Sequence, residues 1–351
     1  MLRLGWKAGP EQFEPNMLLE CAIAAEESGF DLLEASDHFH PWSEDGQACF
    51  IWTWLGAVAA RTRRISLGTG VTAPILRYHP AVIAQAAATL GVMAPGRAFL
   101  SVGTGEALND YAATGRWPGY SERQMRLREA LGLIHELWDG KPVSYEGQYY
   151  QTKKARLYTR PDHPVPLYIS TLVPESATFA GRYGDGLITT GGKPREVYQQ
   201  IIQKFEEGAR SVGKDPAAAP RIIELSVAFT DDVDGAVNDM KRYWGGAIVP
   251  ALYDQKIYTP TMAAQNGQVV GGDVIRQQMV ISTRPDEHVM FAMPYIELGF
   301  DTLIFHSPQT QQRQFIENYG REVLPLLRGR AQRETAMVSG AAGHKAHARA
   351  R

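Results

Sequence analysis

The sequence predicts one eight-stranded β/α barrel, and three observations carry that expectation. Eight short apolar runs punctuate the chain, at residues 2–8, 30–36, 65–71, 98–103, 166–171, 186–190, 222–229 and 302–306. The stretches between them mostly carry helical periodicity, the alternation expected of parallel strands joined by helices. The runs are almost continuously hydrophobic, as strands covered on both faces should be, and eight is the number that closes a barrel of this kind. At 351 residues the chain is long for one domain, yet barrels with insertions reach this size as one unit. Residues 1–330 are therefore read as a single α/β domain, a (β/α)8 TIM barrel with insertions, and 331–351 as a tail.

Between the first two runs, Leu18, Cys21, Ala22 and Ala25 recur at helical spacing, and Gly29 stops that helix before the next strand. Ser121 and Glu122 open another helix, whose Leu127, Leu131, Ile134 and Trp138 share a face. Residues 143–150 read as a small hairpin turning at Glu146-Gly147, and 245–280 as a long insertion ahead of the last helix and strand. Insertions of that length in barrels serve as lids or substrate walls. Beyond Arg328-Gly329 the composition shifts to Ala, Gly, His, Lys and Arg, which builds no core and predicts a disordered tail.

Composition narrows the function classes. Hydrophobic residues at 44% and charged residues at 21% suit an ordinary globular enzyme. A net charge of -2 provides no global field for nucleic acid or an anionic membrane, so a small molecule is the expected partner. Cys21 and Cys49 form no CxxC pair, the first residues lack a signal-type apolar stretch, and no apolar run reaches membrane-spanning length. A cytoplasmic setting is expected.

Catalytic groups of such barrels sit on the loops after the strands. The loop after the second run, Ser36-Asp37-His38-Phe39-His40-Pro41-Trp42, packs a carboxylate, two imidazoles and an indole into seven positions. His38 could take a hydroxyl proton as general base with Asp37 orienting it; a capped loop whose histidines satisfy backbone groups fits the same string. After the fourth run, Gly103-Thr104-Gly105-Glu106-Ala107-Leu108-Asn109 offers close backbone approach to a ring or phosphate and brings Glu106 to the mouth. Glycine recurs at the strand ends Gly68-Thr69-Gly70-Val71 and Thr189-Thr190-Gly191-Gly192-Lys193, where Lys193 could meet an anion or simply face solvent. His38-Phe39-His40 also has the form of an HxH metal pair, but such a site needs further ligands from later strands and only His306 lies at a suitable strand end. No metal is expected.

Several strings together resemble one family. Asp37 to Trp42, Gly103 to Asn109, Gly184-Asp185-Gly186 with Thr190 and Lys193, Arg77 to Gln85, and Phe305-His306 occur in the order seen in the F420-dependent glucose-6-phosphate dehydrogenase group of the luciferase-like superfamily. The resemblance runs from Met1 to about Arg328. It implies coenzyme F420, an 8-hydroxy-5-deazaflavin that carries hydride at C5, and oxidation of a sugar or sugar 6-phosphate at the anomeric carbon to a lactone. By the same resemblance His38 is the base, Glu106 the acid on the N1 side of the ring, and Trp42 a wall of the reacting centre. Asp37 and Asn109 would hydrogen-bond the coenzyme, Gly105 would approach it closely, and Gly70-Val71 would form a non-proline cis peptide behind it. Ala73 stands where a coenzyme-contacting threonine is usual, and Leu172-Val173 with Glu175 stand where paired glycines meet the coenzyme tail.

The resemblance further implies a phosphate pocket made of Thr190, Lys193, Lys256 and an arginine. At the arginine's position this chain has Gln278, with Arg276 two residues earlier as the nearby substitute. Homodimers are usual in the group and one is expected here. Alternative readings are an F420-dependent secondary-alcohol or hydroxy-lipid dehydrogenase, an FMN-dependent monooxygenase of the same superfamily, and a protein that only stores the deazaflavin.

Overall fold

The computed structural model describes residues 2–248 and 257–333. In chain order the first half carries β1 (Arg3–Ala8), α1 (Pro15–Glu27), β2 (Leu32–Ala35), α2 (Ile51–Arg61), β3 (Ser66–Thr69), α3 (Pro80–Met93), β4 (Ala98–Val102), α4 (Ala107–Thr114) and α5 (Tyr120–Trp138). The second half carries β5 (Leu167–Ser170), α6 (Pro174–Tyr183), β6 (Gly186–Thr190), α7 (Arg195–Arg210), β7 (Arg221–Ala228), α8 (Val233–Ile248), α9 (Pro260–Gln268), α10 (Gly272–Gln278), β8 (Met279–Ile281), α11 (Pro285–Leu298), β9 (Thr302–His306) and α12 (Gln312–Glu322). Every expected run contains a strand.

All pairings between named strands are parallel. The sheet runs β6-β5-β4-β3-β2-β1-β9-β7, and β6 pairs with β7 to close an eight-stranded barrel. The ninth strand, β8, was not foreseen. Its three residues lie against the end of β7, from Ser226↔Met279 to Ala228↔Ile281, and extend one side of the barrel beyond its rim.

Two apolar layers hold this arrangement. Leu32, Phe99, Tyr168, Ile188, Ile222 and Ile304 point into the barrel and fill it as a plug, so its interior is a packed core and no pore. The outward residues of the strands, with Leu18, Cys21, Leu127, Leu131 and Ile134 among their helical partners, form the larger core. Of the face predicted for α5, Leu127, Leu131 and Ile134 are buried and Trp138 is half-buried against the same core, and α1 ends before Gly29, whose φ of 86° suits a residue without a side chain.

Three boundaries differ from expectation. The hairpin reaches further, with Val143↔Ala155 and Glu146↔Gln151 as antiparallel bridges and Gly147 N–H donating to Tyr150 O, so the turn follows Gly147. The insertion starts later than 245, because α8 continues to Ile248. Residues 331–333 are helical with Ala331 buried, so the tail does not start at 331. The rest of that tail, 334–351, lies outside the described residues.

The insertion covers the mouth. Ile257, Ala263 and Ile275 join Met240 and Trp244 of α8, Trp42 and Leu108 in a separate apolar cluster over the carboxyl ends of the strands. Polar contacts reinforce it: Thr261 N–H donates to Glu44, and Tyr258 stacks near Tyr111 with ring centroids 5.0 Å apart. The expectation of a substrate wall fits this placement.

Candidate active site

Three loops meet at the mouth. His38 follows β2, Glu106 follows β4 as the cap residue of α4, and Glu11 lies in the loop after β1. His38 Nε2 stands 3.5 Å from Glu106 Oε2 and 3.6 Å from Glu11 Oε1. Its Nδ1 lies 3.0 Å from the carbonyl oxygen of His40. A carbonyl only accepts, so Nδ1 carries the proton and the neutral ring presents its Nε2 lone pair to the two carboxyl groups.

Burial drives the protonation of all three groups toward neutrality. It lowers His38 below its usual 6.5 against the attraction of Glu106. It raises Glu106 above 4.5 despite His38, and pushes Glu11 up to about 7 against the nearby Lys7 charge. The site therefore holds an unprotonated imidazole beside carboxyl groups that retain protons above the ordinary carboxylate range. The Trp42 ring lies 5.0 Å from that of His38, tilted by 55°, and is buried under the lid cluster.

Asn109 and Asp37 hold these loops in place. Asn109 Oδ1 accepts from Phe39 N–H (2.8 Å) and His40 N–H (3.2 Å), while its Nδ2 donates to Glu106 Oε2 at 3.3 Å. One amide thus ties the His38 loop to Glu106. The carboxylate of Asp37 accepts from Thr72 Oγ1, Tyr78 Oη and Arg77, at 2.8, 2.9 and 3.1 Å. It is buried and committed to three protein donors, so its place is beneath the site, bracing β2 against the loop after β3.

The glycine-rich ends form a shelf. The Gly70–Val71 peptide is cis, as the resemblance implied. Val71 is half-buried and packs on the interior plug, and a Cβ on Gly103 would meet it at 3.0 Å. Gly105 has φ 74°, and a Cβ there would strike the Asp110 carboxylate and approach Ala73 at 3.1 Å. No side chain fits at that position. Ala73 is buried against Gly105, and Leu172, Val173 and Glu175 lie at the start of α6, where Val173 caps the helix without a side-chain hydrogen bond.

The expected anion pocket is assembled in part. Lys193 Nζ donates to Thr190 O and Oγ1 at 2.8 and 2.9 Å, and burial lowers its ammonium to about 8. The Gln278 side chain packs beside them, 3.4 Å from where a Cβ on Gly192 would stand. Arg276 does not join: it is exposed and paired with Asp234 (2.9 Å) and Asp273 (3.1 Å) on the outer side of α10. Lys256 lies outside the described residues. The two imidazoles of the HxH string each commit Nδ1 to a different carbonyl, His40 to that of Tyr258 at 3.2 Å.

Sequence reasoning missed a buried ionic network below the shelf. Lys7 of β1 reaches Glu224 of β7 (2.9 Å), Glu34 of β2 (3.3 Å) and the Gly70 carbonyl (2.8 Å). His306 of β9 faces Glu224 at 3.7 Å, with Trp244 packed on its ring. Lys7, Glu34 and Glu224 are charges set inside otherwise apolar runs, the signal that was available. Glu11 was missed because the first strand's loop carries no glycine cluster or histidine of the kind that marked the others.

The family profile of luciferase-like monooxygenases matches residues 3–302. The chain belongs to this luciferase-like family. Within it, the chain groups with the F420-dependent glucose-6-phosphate dehydrogenases: that of Microbacterium testaceum is 43% identical over 331 residues, covering 94% of this chain and 98% of the relative. That of Mycolicibacterium gilvum is 42% identical over 93% and 98%. Among solved structures, an F420-dependent secondary alcohol dehydrogenase in complex with an F420–acetone adduct superposes with a TM-score of 0.89 at 36% identity, covering 93% of this chain and 99% of that one. The coenzyme F420-dependent tetrahydromethanopterin reductase of Methanopyrus kandleri, at 22% identity and TM-score 0.73, shares the fold.

Proposed function

We propose that the protein is an F420-dependent oxidoreductase acting on CH–OH donors, which oxidises a sugar or sugar 6-phosphate at the anomeric carbon to a lactone. The observation that carries this reading is the convergence of Glu106 and Glu11 on His38 Nε2, at 3.5 and 3.6 Å, at the barrel mouth. Relatives and a structural neighbour that are F420-dependent dehydrogenases support the coenzyme and the reaction class.

The residues present fit a deazaflavin. Val71 offers an apolar backing above the plug, Gly103 lets Val71 pack closely against the end of β4, and His38, Glu106 and Asn109 supply polar groups at the edge of such a ring. When bound, the coenzyme supplies a hydride acceptor at C5. His38 takes the substrate hydroxyl proton at Nε2, a role its tautomer and its depressed basicity leave open at neutral pH. Glu106 holds a proton at its carboxyl for delivery to the coenzyme's N1 side. Trp42 and the lid cluster exclude water from the hydroxyl being oxidised. Asn109 keeps the two proton-handling groups at a fixed separation.

Thr190, Lys193 and Gln278 would receive the far end of the substrate, with Lys256 as a further cation. Gln278 and the outward Arg276 favour a second reading within the same chemistry, a simple secondary alcohol, since a guanidinium's paired hydrogen bonds to phosphate are missing among the described residues. The protein is taken to work in the cytoplasm as a homodimer. Both cysteines are free, among the described residues no helix is long and apolar enough to cross a membrane, and exposed Phe50, which caps α2, with Val82 and Met93 of α3 supports a self-association face.

The test is incubation of purified protein with oxidised F420 and glucose 6-phosphate, glucose or 2-propanol, following the coenzyme's visible absorbance. Bleaching with either sugar supports the leading reading. Bleaching with the alcohol alone moves the assignment to an alcohol dehydrogenase, and no bleaching with any donor refutes both.

A further inference from the structure

We propose that Lys7 is a positioning residue for the coenzyme, its buried ammonium holding the Gly70 carbonyl and with it the Val71 shelf against which the ring rests. The proposal rests on the F420 reading above, and no step of the reaction passes through Lys7 itself.

Lys7 points into the barrel from β1 and is 4% exposed. An ammonium has three donors, and here each meets an acceptor on a different segment: Glu34 Oε1 on β2, Gly70 O at the end of β3, and Glu224 Oε2 on β7. The cation therefore ties β1 to three other strand ends just beneath the site. Two of its partners are carboxyl groups, of which Glu224 balances the charge. The third is a backbone carbonyl that carries no charge to balance, and it belongs to the residue preceding Val71.

Gly70 is held from a second side. A Cβ at that position would collide with the Glu34 carboxyl group, so Glu34 presses against the Gly70 backbone while Lys7 holds its carbonyl. Val71, the next residue, rests on the interior plug and against Gly103. A peptide gripped through its carbonyl, its α-carbon and the following side chain has little freedom to tilt, which is what a planar ligand needs from the surface behind it.

Stability alone does not account for the arrangement. Replacing a buried ion pair by apolar groups of similar shape is often neutral or favourable, because mutual attraction barely repays desolvation. The network is also locally neutral. Burial pushes Glu34 up to about 8, so it keeps its proton, while for Glu224 the attraction of the Lys7 ammonium, helped by His306, outweighs burial and holds it ionised. On the far side His306 faces Glu224 and carries Trp244 of α8, so the clamp is buttressed by the lid helix.

The test compares Glu224→Gln with the double variant Lys7→Met/Glu224→Gln, both free of an unbalanced charge once Glu34 adjusts its proton. Coenzyme binding is read by quenching of F420 fluorescence, folding by calorimetry, and turnover as separate kcat and sugar KM. Glu224→Gln keeps the Lys7–Gly70 bond and is expected to bind F420 within a few-fold of wild type. Loss of the charged hydrogen bond in the double variant is expected to raise the coenzyme Kd about tenfold or more, with the sugar KM little changed and a melting temperature close to that of Glu224→Gln. Equal coenzyme affinity in the two variants overturns the proposal, and so does a double variant that melts far below the single one, since Lys7 would then serve the fold and not the shelf. Wild-type protein that binds no F420 refutes the underlying reading and this proposal together, an outcome distinct from the first two.

Discussion

His38 Nε2 and Glu106 Oε2 lie 3.5 Å apart although they come from loops after different strands, and Asn109 bonds to both loops. Burial acts on the two groups in opposite senses of charge: it strips the proton from the imidazole and keeps one on the carboxyl. Neighbouring titratable groups made base and acid by their environment are the pattern of acid–base sites. A structural pair would sooner sit as an ionised salt bridge.

Replacing His38 by Ala removes the base and leaves the shelf untouched. Steady-state turnover is expected to fall by about 10²–10⁴-fold, while F420 affinity stays within a few-fold by fluorescence titration. A variant that loses coenzyme binding and turnover together would show His38 to be a binding group.

The pH profile of kcat/KM follows from the same shifts. With His38 lowered from 6.5, the base stays unprotonated into the acid range, so the acid limb is expected below 6.5. The alkaline limb comes from loss of the carboxyl protons of Glu106 and of Glu11, the latter at about 7. Because the three groups interact, the limbs belong to the cluster. In Glu106→Gln the alkaline limb should persist from Glu11 alone, near about 7, and the acid limb should move lower because Glu106 no longer raises His38; an acid limb above 6.5 in wild type contradicts this.

Glu11 also links pH to stability. Its folded value of about 7 lies above the usual 4.5, so the fold holds that proton more tightly than the unfolded chain does. The resulting stabilisation is complete below 4.5 and is lost as pH rises through about 7. Glu11→Gln should therefore be more stable than wild type at about pH 8, by on the order of 2 kcal/mol, with the gain vanishing toward about pH 4. Calorimetric melting at the two pH values checks it, and a gain independent of pH would be wrong for this cause.

The strands and the His38 and Glu106 loops were legible because parallel strands are apolar throughout and their functional loops interrupt that pattern abruptly. The clamp of Lys7, Glu34 and Glu224 was not, since one charge in a hydrophobic run says nothing about which distant charges will meet it. Arg276 was misjudged through local geometry. It stands two residues before Gln278 on α10, about 200° around the helix, so when Gln278 faces Gly192 the arginine faces outward to Asp234. The protein partners of Asp37 were not legible because Thr72, Arg77 and Tyr78 lie in a different loop. β8, at three residues, has no pattern of its own.

The neutral side chain at 278 bears on substrate choice. Gln278→Arg places a guanidinium beside Thr190 and Lys193, and a bidentate contact of that kind should raise kcat/KM for a sugar 6-phosphate over the free sugar by about tenfold. An unchanged ratio would place the phosphate elsewhere.

The most direct measurement is a double-mutant cycle on single-turnover F420 reduction with His38→Ala, Glu106→Gln and the pair. Groups serving one reacting centre act as a unit, so the double variant should be little slower than the slower single variant. Losses that simply multiply would mean that His38 and Glu106 act independently, and the shared proton-handling site would be refuted.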